Sequence, residues 1–309
     1  MKNFLHIKDI PLKELRKIIS DAKIRKKKRK KFSTLEPDKN APLKNKLSIQ
    51  IFEKSSLRTR VSFYIAIKQL GGSTITLRPD ELHIKNGGES ISDIAKILSM
   101  YSDLFIFRTN SDIKIKKFEK FLTIPFINGL SPKSHPAQIL SDIFTIEEIK
   151  NKSISKLNIA WVGDSNNVLN SLIEASIKFS FRLNIGCPDK FKPKKEVIKW
   201  IATHKGKVNI YNNPKNAVKN ADVILTDKVI SMNDKINKKK KIDAFKKFKI
   251  DNKLIKNSKK DCIILHCLPR GNEITNEVFL SKNSKVWQQA LNRVHVQKSI
   301  ILYCLDLLR

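Results

Sequence analysis

Leu47–Phe52 (LSIQIF), Ser55–Gly72 (SSLRTRVSFYIAIKQLGG) and Ser73–Leu77 (STITL) follow one another almost without interruption, and together they set the architecture. A short β-branched run enters a turn of hydroxyls and arginines, continues as a longer helical pattern, stops at two glycines and becomes extended again. Val61, Phe63, Ile65, Ile67 and Leu70 supply the expected apolar face of the helix, and Gly71-Gly72 ends it. Strand, helix and strand in that order are the unit from which parallel α/β sheets are built.

The same alternation runs along the chain. Further strands are predicted at 104–108 (LFIFR), 124–128 (IPFIN), 157–163 (LNIAWVG), 182–187 (RLNIGC), 207–211 (KVNIY), 222–227 (DVILTD) and 262–267 (CIILHC). Helical stretches separate them. One is ESISDIAKILSMYSD, with Ile91, Ile94, Ile97 and Leu98 on one side, and another is HPAQILSDIFTIEEIK at 135–150. The pattern predicts an α/β protein of two domains, each a parallel sheet flanked by helices. The expected domains are 1–150 and 151–309, divided near the low-apolar NKSISK, with the last helix (about 292–308) packing back on the first domain. No internal repeat of about 20–50 residues is visible.

With 309 residues, 40% of them hydrophobic, the chain can bury a core in each domain. No run of about 18 apolar residues occurs, and MKNFLHIKDIPLKEL lacks the apolar centre of a secretory signal, so a soluble cytoplasmic protein without membrane association is expected. Cys187, Cys262, Cys267 and Cys304 show no CxxC spacing, which argues for free thiols in a reducing compartment. The 62 Lys+Arg against 29 Asp+Glu give a net charge of +33. Such a balance suits nucleic acid or anionic small substrates. Lysine, isoleucine and asparagine are over-used throughout, however, as a codon bias toward A+T produces, and no specific nucleic-acid partner is expected. RKKKRKK (25–31) and KKKK (238–241) read as exposed helix ends.

Four polar turns could carry chemistry. Ser55-Ser56-Leu57-Arg58-Thr59-Arg60 offers hydroxyls, guanidiniums and helix N-terminal N–H groups, a combination suited to a phosphate dianion as well as to an ordinary helix start. It lacks the glycines and lysine of a nucleotide P-loop. His135 and Gln138 share a helix face one turn apart, and Arg108 ends a strand, where ligand groups gather in open parallel sheets. Gly163-Asp164-Ser165-Asn166-Asn167 begins the second half without a dinucleotide fingerprint. Asp227, with Ser231-Met232 beyond it, could hold a cationic amine or serve as a turn residue. In IILHCLPR (263–270), Cys267 reads as a nucleophile, a metal ligand or a buried filler. The scattered cysteines make a disulfide the least favoured reading.

Taken together, SSLRTR, Phe107-Arg108, HPAQ with LSDIFTIEE, GDSNNVLNS, Thr226-Asp227 with Ser231-Met232, HCLPR with NEITNEVF, and Asn292-Arg293 resemble the ornithine carbamoyltransferases in order and approximate spacing. The resemblance runs from about residue 5 to 308. It implies a carbamoyl-phosphate domain followed by an amino-acid domain with the active site between them, a homotrimer or a multiple of trimers, and neither metal nor organic cofactor. It implies that Ser56, Leu57, Arg58 and Thr59 hold the phosphate, with His83 reaching it from a neighbouring subunit. Arg108, His135 and Gln138 would surround the carbamoyl group, and Arg293 would close the anion site. Asn167, Asp227, Ser231 and Met232 would bind ornithine, and Cys267 and Leu268 would sit at the reacting centre.

The implied reaction is attack of the ornithine δ-amine on the carbamoyl carbon, giving citrulline and phosphate in arginine biosynthesis. Because the amine is the nucleophile, Cys267 becomes an amine-facing, non-covalent group with Asp227 beside it. HCLP rather than HPLP, and a carboxylate at Asp227, favour ornithine over aspartate; putrescine, an acylated ornithine or aspartate is the alternative acceptor, and a basic nucleic-acid-binding protein on the same scaffold is the less favoured alternative. The chain departs from the family's pattern at Asp227–Asn233, which lacks the usual tryptophan and glycine and adds Lys228. It departs again at Glu81–Ser90, one residue longer than usual, and at Leu291, where an acidic residue is common.

Overall fold

The computed structural model describes residues 2–29, 31–82, 88–230 and 238–308, and it divides into two compact units. The first comprises Met1–Phe144 and Leu291–Arg309, the second Thr145–Ala290.

In chain order the first unit contains α1 (Leu12–Lys28), β1 (Leu47–Phe52), α2 (Leu57–Gln69), β2 (Ser73–Leu77), α3 (Ile91–Tyr101), β3 (Leu104–Arg108), α4 (Asp112–Phe121) and β4 (Phe126–Leu130). It also holds the first part of α5 (Pro136–Lys150). All strand pairs are parallel, in the order β2-β1-β3-β4. Phe105, Phe107, Phe118 and Phe126 are fully buried, with Phe118 5.2 Å from Phe105 and 5.1 Å from Phe107 between ring centroids. Burying each such ring contributes about 2 kcal/mol. The register slips between Phe107 and Arg108, so that Phe107 faces Asn128 and Arg108 faces Leu130. A bulge of this kind re-aims the side chain at the strand end.

The second unit contains β5 (Asn158–Val162), α6 (Asn167–Lys178), β6 (Arg182–Gly186), α7 (Lys195–Thr203), β7 (Val208–Tyr211), α8 (Pro214–Val218), β8 (Val223–Thr226), α9 (Lys238–Phe245), α10 (Asn252–Ile255), β9 (Ile263–His266) and α11 (Asn276–Phe279). Its parallel sheet has the order β7-β6-β5-β8-β9, with Trp161, Ile224 and Leu265 buried at its centre. The last helix, α12 (Val286–Cys304), lies in the first unit from Leu291 onward. There Lys26 Nζ donates to Asn292 Oδ1 (2.7 Å), Lys298 Nζ to Asp38 Oδ1 (2.7 Å) and Ser299 Oγ to Asp21 Oδ2 (2.6 Å).

Two expectations change on contact with the fold. The buried face of α2 is Thr59, Ser62, Phe63, Ala66 and Ile67, whereas Val61 is 43% exposed and Ile65 half-buried. A step of two residues carries a helix through about 200°, so Val61 and Phe63 cannot share a face. On α3, Ile94 and Leu98 stand one turn apart on the buried face, while Ile97, about 100° round the helix from Leu98, is 41% exposed. The basic run at 25–31 is not uniformly a solvated end. Arg25 pairs with Asp21 of the same helix and with Asp38, and Arg29 pairs with Asp38, so two of its seven cations tie α1 to the segment that follows it. A cavity of about 500 Å³ beside this network is lined by Asp21, Arg25, Arg29, Phe32 and Asp38.

Candidate active site

Within the first unit, β1 delivers the chain to Ser56, the N-cap of α2, whose backbone is extended. Its side chain makes no capping bond, so the first N–H groups of α2 are not taken by the Ser56 hydroxyl. Leu57 is 74% exposed and Arg58 half-buried, while Thr59 turns inward and is buried. Thr59 Oγ1 accepts from Arg293 Nη2 (2.8 Å) and Arg108 Nη1 (3.3 Å). Arg293 Nη1 donates to Gln138 Oε1 (2.6 Å), and Gln138 Nε2 donates to Asp142 Oδ1 (2.8 Å).

The side chains of Thr59, Arg108, Gln138 and Arg293 are thus interlocked around the starts of α2 and α5. His135, 4% exposed, precedes α5. Burial, reinforced by the guanidiniums of Arg293, Arg108 and Arg58, holds its imidazole well below the usual histidine range. A neutral ring among three fixed cations can donate an N–H to an oxygen without itself carrying charge. Helix N–H groups and guanidiniums form a field that suits a phosphate dianion.

The second unit gathers different chemistry at the ends of its central strands. At the end of β8, half-buried Asp227 accepts through Oδ2 from Asn166 Nδ2 (2.8 Å). Asn166 is the N-cap of α6, and its Oδ1 accepts from the N–H groups of Val168 (3.0 Å) and Leu169 (3.1 Å). Burial pushes the Asp227 carboxyl above the usual carboxylate range, opposed by bonds from the Lys228 N–H and the Asn166 amide.

Beside it, Cys267 directly follows β9, and its N–H donates to Thr226 O (3.4 Å). Leu268 adopts a left-handed φ of 54° and donates its N–H to His266 Nδ1 (2.8 Å). With Nδ1 accepting, Nε2 of His266 donates to Glu273 Oε1 (2.9 Å), and both side chains are buried. His266 and Glu273 thereby fix the turn that presents half-buried Cys267 and Leu268.

The family models match in the same order. The carbamoyl-phosphate-binding domain of the aspartate/ornithine carbamoyltransferases covers residues 2–148, and their Asp/Orn-binding domain covers 155–304. The chain is 38% identical over 307 residues to an ornithine carbamoyltransferase of Mesorhizobium japonicum, covering 99% of each. It is 40% identical to one from Archaeoglobus fulgidus over 98% of this chain and 97% of the relative. Its structure superposes on that of the ornithine carbamoyltransferase from Pyrococcus furiosus with a TM-score of 0.90 at 37% identity, covering 97% and 96% of the two chains. The chain belongs to the aspartate/ornithine carbamoyltransferase family.

As a carbamoyltransferase it carries both domains; the cationic set lies in the first compact unit, with Arg58, Arg108 and His135 from the carbamoyl-phosphate-binding domain and Arg293 from the last helix, and the carboxylate and thiol lie in the second unit, within the Asp/Orn-binding domain. Of the residues expected from sequence, Thr59, Arg108, Gln138 and Arg293 come together in the first, and Asp227 and Cys267 are held by adjacent strands in the second. Asn167 is the half-buried first residue of α6. His83, Ser231 and Met232 lie outside the described residues. The sequence marks Asn166 only as one of two asparagines in a polar turn, and it gives no role to His266 or Glu273. An asparagine directly before a helical run is a capping signal that could have marked Asn166, but nothing local announces that Glu273 bonds His266.

Proposed function

We propose that this carbamoyltransferase moves the carbamoyl group of carbamoyl phosphate to the δ-amine of L-ornithine, yielding L-citrulline and phosphate in cytoplasmic arginine biosynthesis. The observation that carries the choice of acceptor is the carboxylate of Asp227, fixed by Asn166 at the end of β8. An acidic group there suits an amine that arrives as a cation and must lose a proton. A second substrate bearing an extra carboxylate would be repelled.

The chemistry follows from the two sets of residues. Arg58 and the N-terminal N–H groups of α2 take the phosphate, and Arg108 and His135 donate to the carbamoyl oxygen. The neutral δ-amine attacks the carbamoyl carbon, the oxygen becomes anionic, and these donors stabilise it as the C–N bond forms. The C–O bond to phosphate then breaks, and the leaving dianion stays among guanidiniums. The proton shed by the new C–N bond passes to Asp227, whose raised affinity makes it a better base than an ordinary carboxylate. Gln138 and Arg293 hold Thr59 and Arg108 in place, and Cys267 packs beside the amine without forming a covalent bond.

We also propose a homotrimer or a multiple of trimers. Its support is a set of exposed apolar side chains on one domain: Val61 (43%) and Tyr64 (39%) on α2, Ile75 (47%) on the edge strand β2, and Met100 (68%) and Tyr101 (66%) on α3. Light scattering should return a mass of three times 35.5 kDa or a multiple of it, and a monomer would remove the proposal.

Formation of the ureido product measured colorimetrically, with ornithine, putrescine and aspartate offered in parallel, tests the acceptor. Ornithine is expected to react. Product from another amine with none from ornithine would overturn this reading.

A further inference from the structure

The mechanism leaves unused an ion pair between a buried lysine and a half-buried aspartate of the second unit. On α9, Lys241 is 2% exposed, and its Nζ donates to Asp164 Oδ2 at 2.6 Å. Asp164 belongs to the turn between β5 and α6, and its backbone is pinned as well: its carbonyl accepts from Trp161 Nε1 (3.2 Å) and from the Asn166 N–H (3.0 Å). On the other side of the turn, Thr226 Oγ1 donates to Val162 O (2.6 Å). Gly163 has a φ of 154°, and a Cβ built there would stand 3.2 Å from Thr226 Oγ1, so the turn lies tight against the end of β8. From this turn Asn166 reaches Asp227 at 2.8 Å.

A continuous path of polar contacts therefore runs from Lys241 through Asp164 and Asn166 to the carboxylate that faces the amine. The ammonium of a lysine buried to 2% exposure holds the Asp164 carboxylate in place, because drawing its counter-charge away costs more there than at the surface. The Asn166 amide can orient Asp227 only while its own turn stays in place.

We infer that Lys241 is a positioning residue for carbamoyl transfer: paired with Asp164, it holds the 163–166 turn so that Asn166 presents the Asp227 carboxylate to the acceptor amine. The inference rests on the reading of Asp227 as the amine-facing base. It makes no use of the anion-binding residues of the first unit, and that separation gives it a signature. Loss of the pair should disturb the acceptor and leave carbamoyl phosphate alone.

The test is steady-state kinetics on the full-length protein, with each substrate varied in turn, for Lys241→Met, Asp164→Asn and Lys241→Arg. Wild-type turnover is measured first with ornithine, putrescine and aspartate, and the variants are then compared using whichever amine reacts. This keeps a wrong acceptor distinct from a wrong positioning residue. Lys241→Met and Asp164→Asn are expected to lower kcat/KM for the amine about 10-fold or more, with KM for carbamoyl phosphate within about twofold of wild type. Lys241→Arg, which keeps the charge, should recover to within about threefold. Should either single variant fail to fold, the double variant Lys241→Met/Asp164→Asn removes both charges and is expected to show the same one-sided loss. Equal loss on both substrates, unchanged amine kinetics, or no recovery with arginine would overturn the inference. So would a wild type that carbamoylates none of the three amines.

Discussion

The turns at Ser55–Thr59 and Gly163–Asn167 are built alike and do opposite work. Each follows a parallel strand and opens a helix, so the backbone presents the same N–H groups in both. In the second turn Asn166 spends its carbonyl oxygen on its own helix and its amide on Asp227. In the first, Ser56 makes no side-chain cap, and arginines crowd around the helix start. The fold supplies a location and a set of donors; the capping residue decides whether those donors are spent on its side chain, as at Asn166, or left open, as the proposed function requires at Ser56.

The largest effect is expected at the uncapped turn. Arg58→Ala should weaken carbamoyl-phosphate binding by about 100-fold or more, read as KM for that substrate, because a fixed charged donor to the dianion is lost. An unchanged KM would remove the phosphate assignment. At the other turn, Asp227→Asn should lower kcat by about 100-fold while leaving KM for carbamoyl phosphate near wild type.

Asp227 also predicts pH behaviour. Its folded value lies above the ordinary 3.8, so the native state holds a proton that the unfolded chain releases. The native state then binds more protons between those two values, and stability falls as pH rises through that window. Asp227→Asn should therefore melt at or above the wild-type temperature at neutral pH while losing activity, and in the wild type activity should fall as acid protonates Asp227. A variant that melts well below wild type would show the carboxylate to be structurally required.

Smaller effects separate the two caps. Asn166→Ala removes a working cap and should cost about 1 kcal/mol of stability in a denaturant titration. Ser56→Ala has no side-chain cap to lose and should leave the denaturation midpoint nearly unchanged, yet raise KM for carbamoyl phosphate several-fold. If both variants lost equal stability, the distinction between the turns would fail.

Much of this was legible in the sequence for a physical reason: parallel strands announce themselves by short β-branched runs, and all nine were placed within about two residues of their observed bounds. What stayed hidden depended on three-dimensional neighbours. Thr59 and Ser62 point into the core in place of Val61 because helical geometry, not residue type alone, chooses the face. Asp38 gives no local sign that it will hold Arg25, Arg29 and Lys298, although burial then pushes Lys298 down to about 8. The division at Phe144 falls inside α5, where the chain has no turn or change of composition to mark it. Arg58, Arg108 and His135 stand out in the sequence because each ends a strand or opens a helix, whereas Glu273 bonds His266, seven positions back, with no local mark.

The central claim is a division of labour between a cationic set for carbamoyl phosphate and an acidic set for the amine. Citrulline formation by wild type, Arg58→Ala and Asp227→Asn, with each substrate varied at saturating levels of the other, tests it most directly. The account predicts that Arg58→Ala raises KM for carbamoyl phosphate with little change for ornithine, and that Asp227→Asn lowers turnover without raising KM for carbamoyl phosphate. Both variants damaging the same substrate's kinetics to the same degree would contradict it.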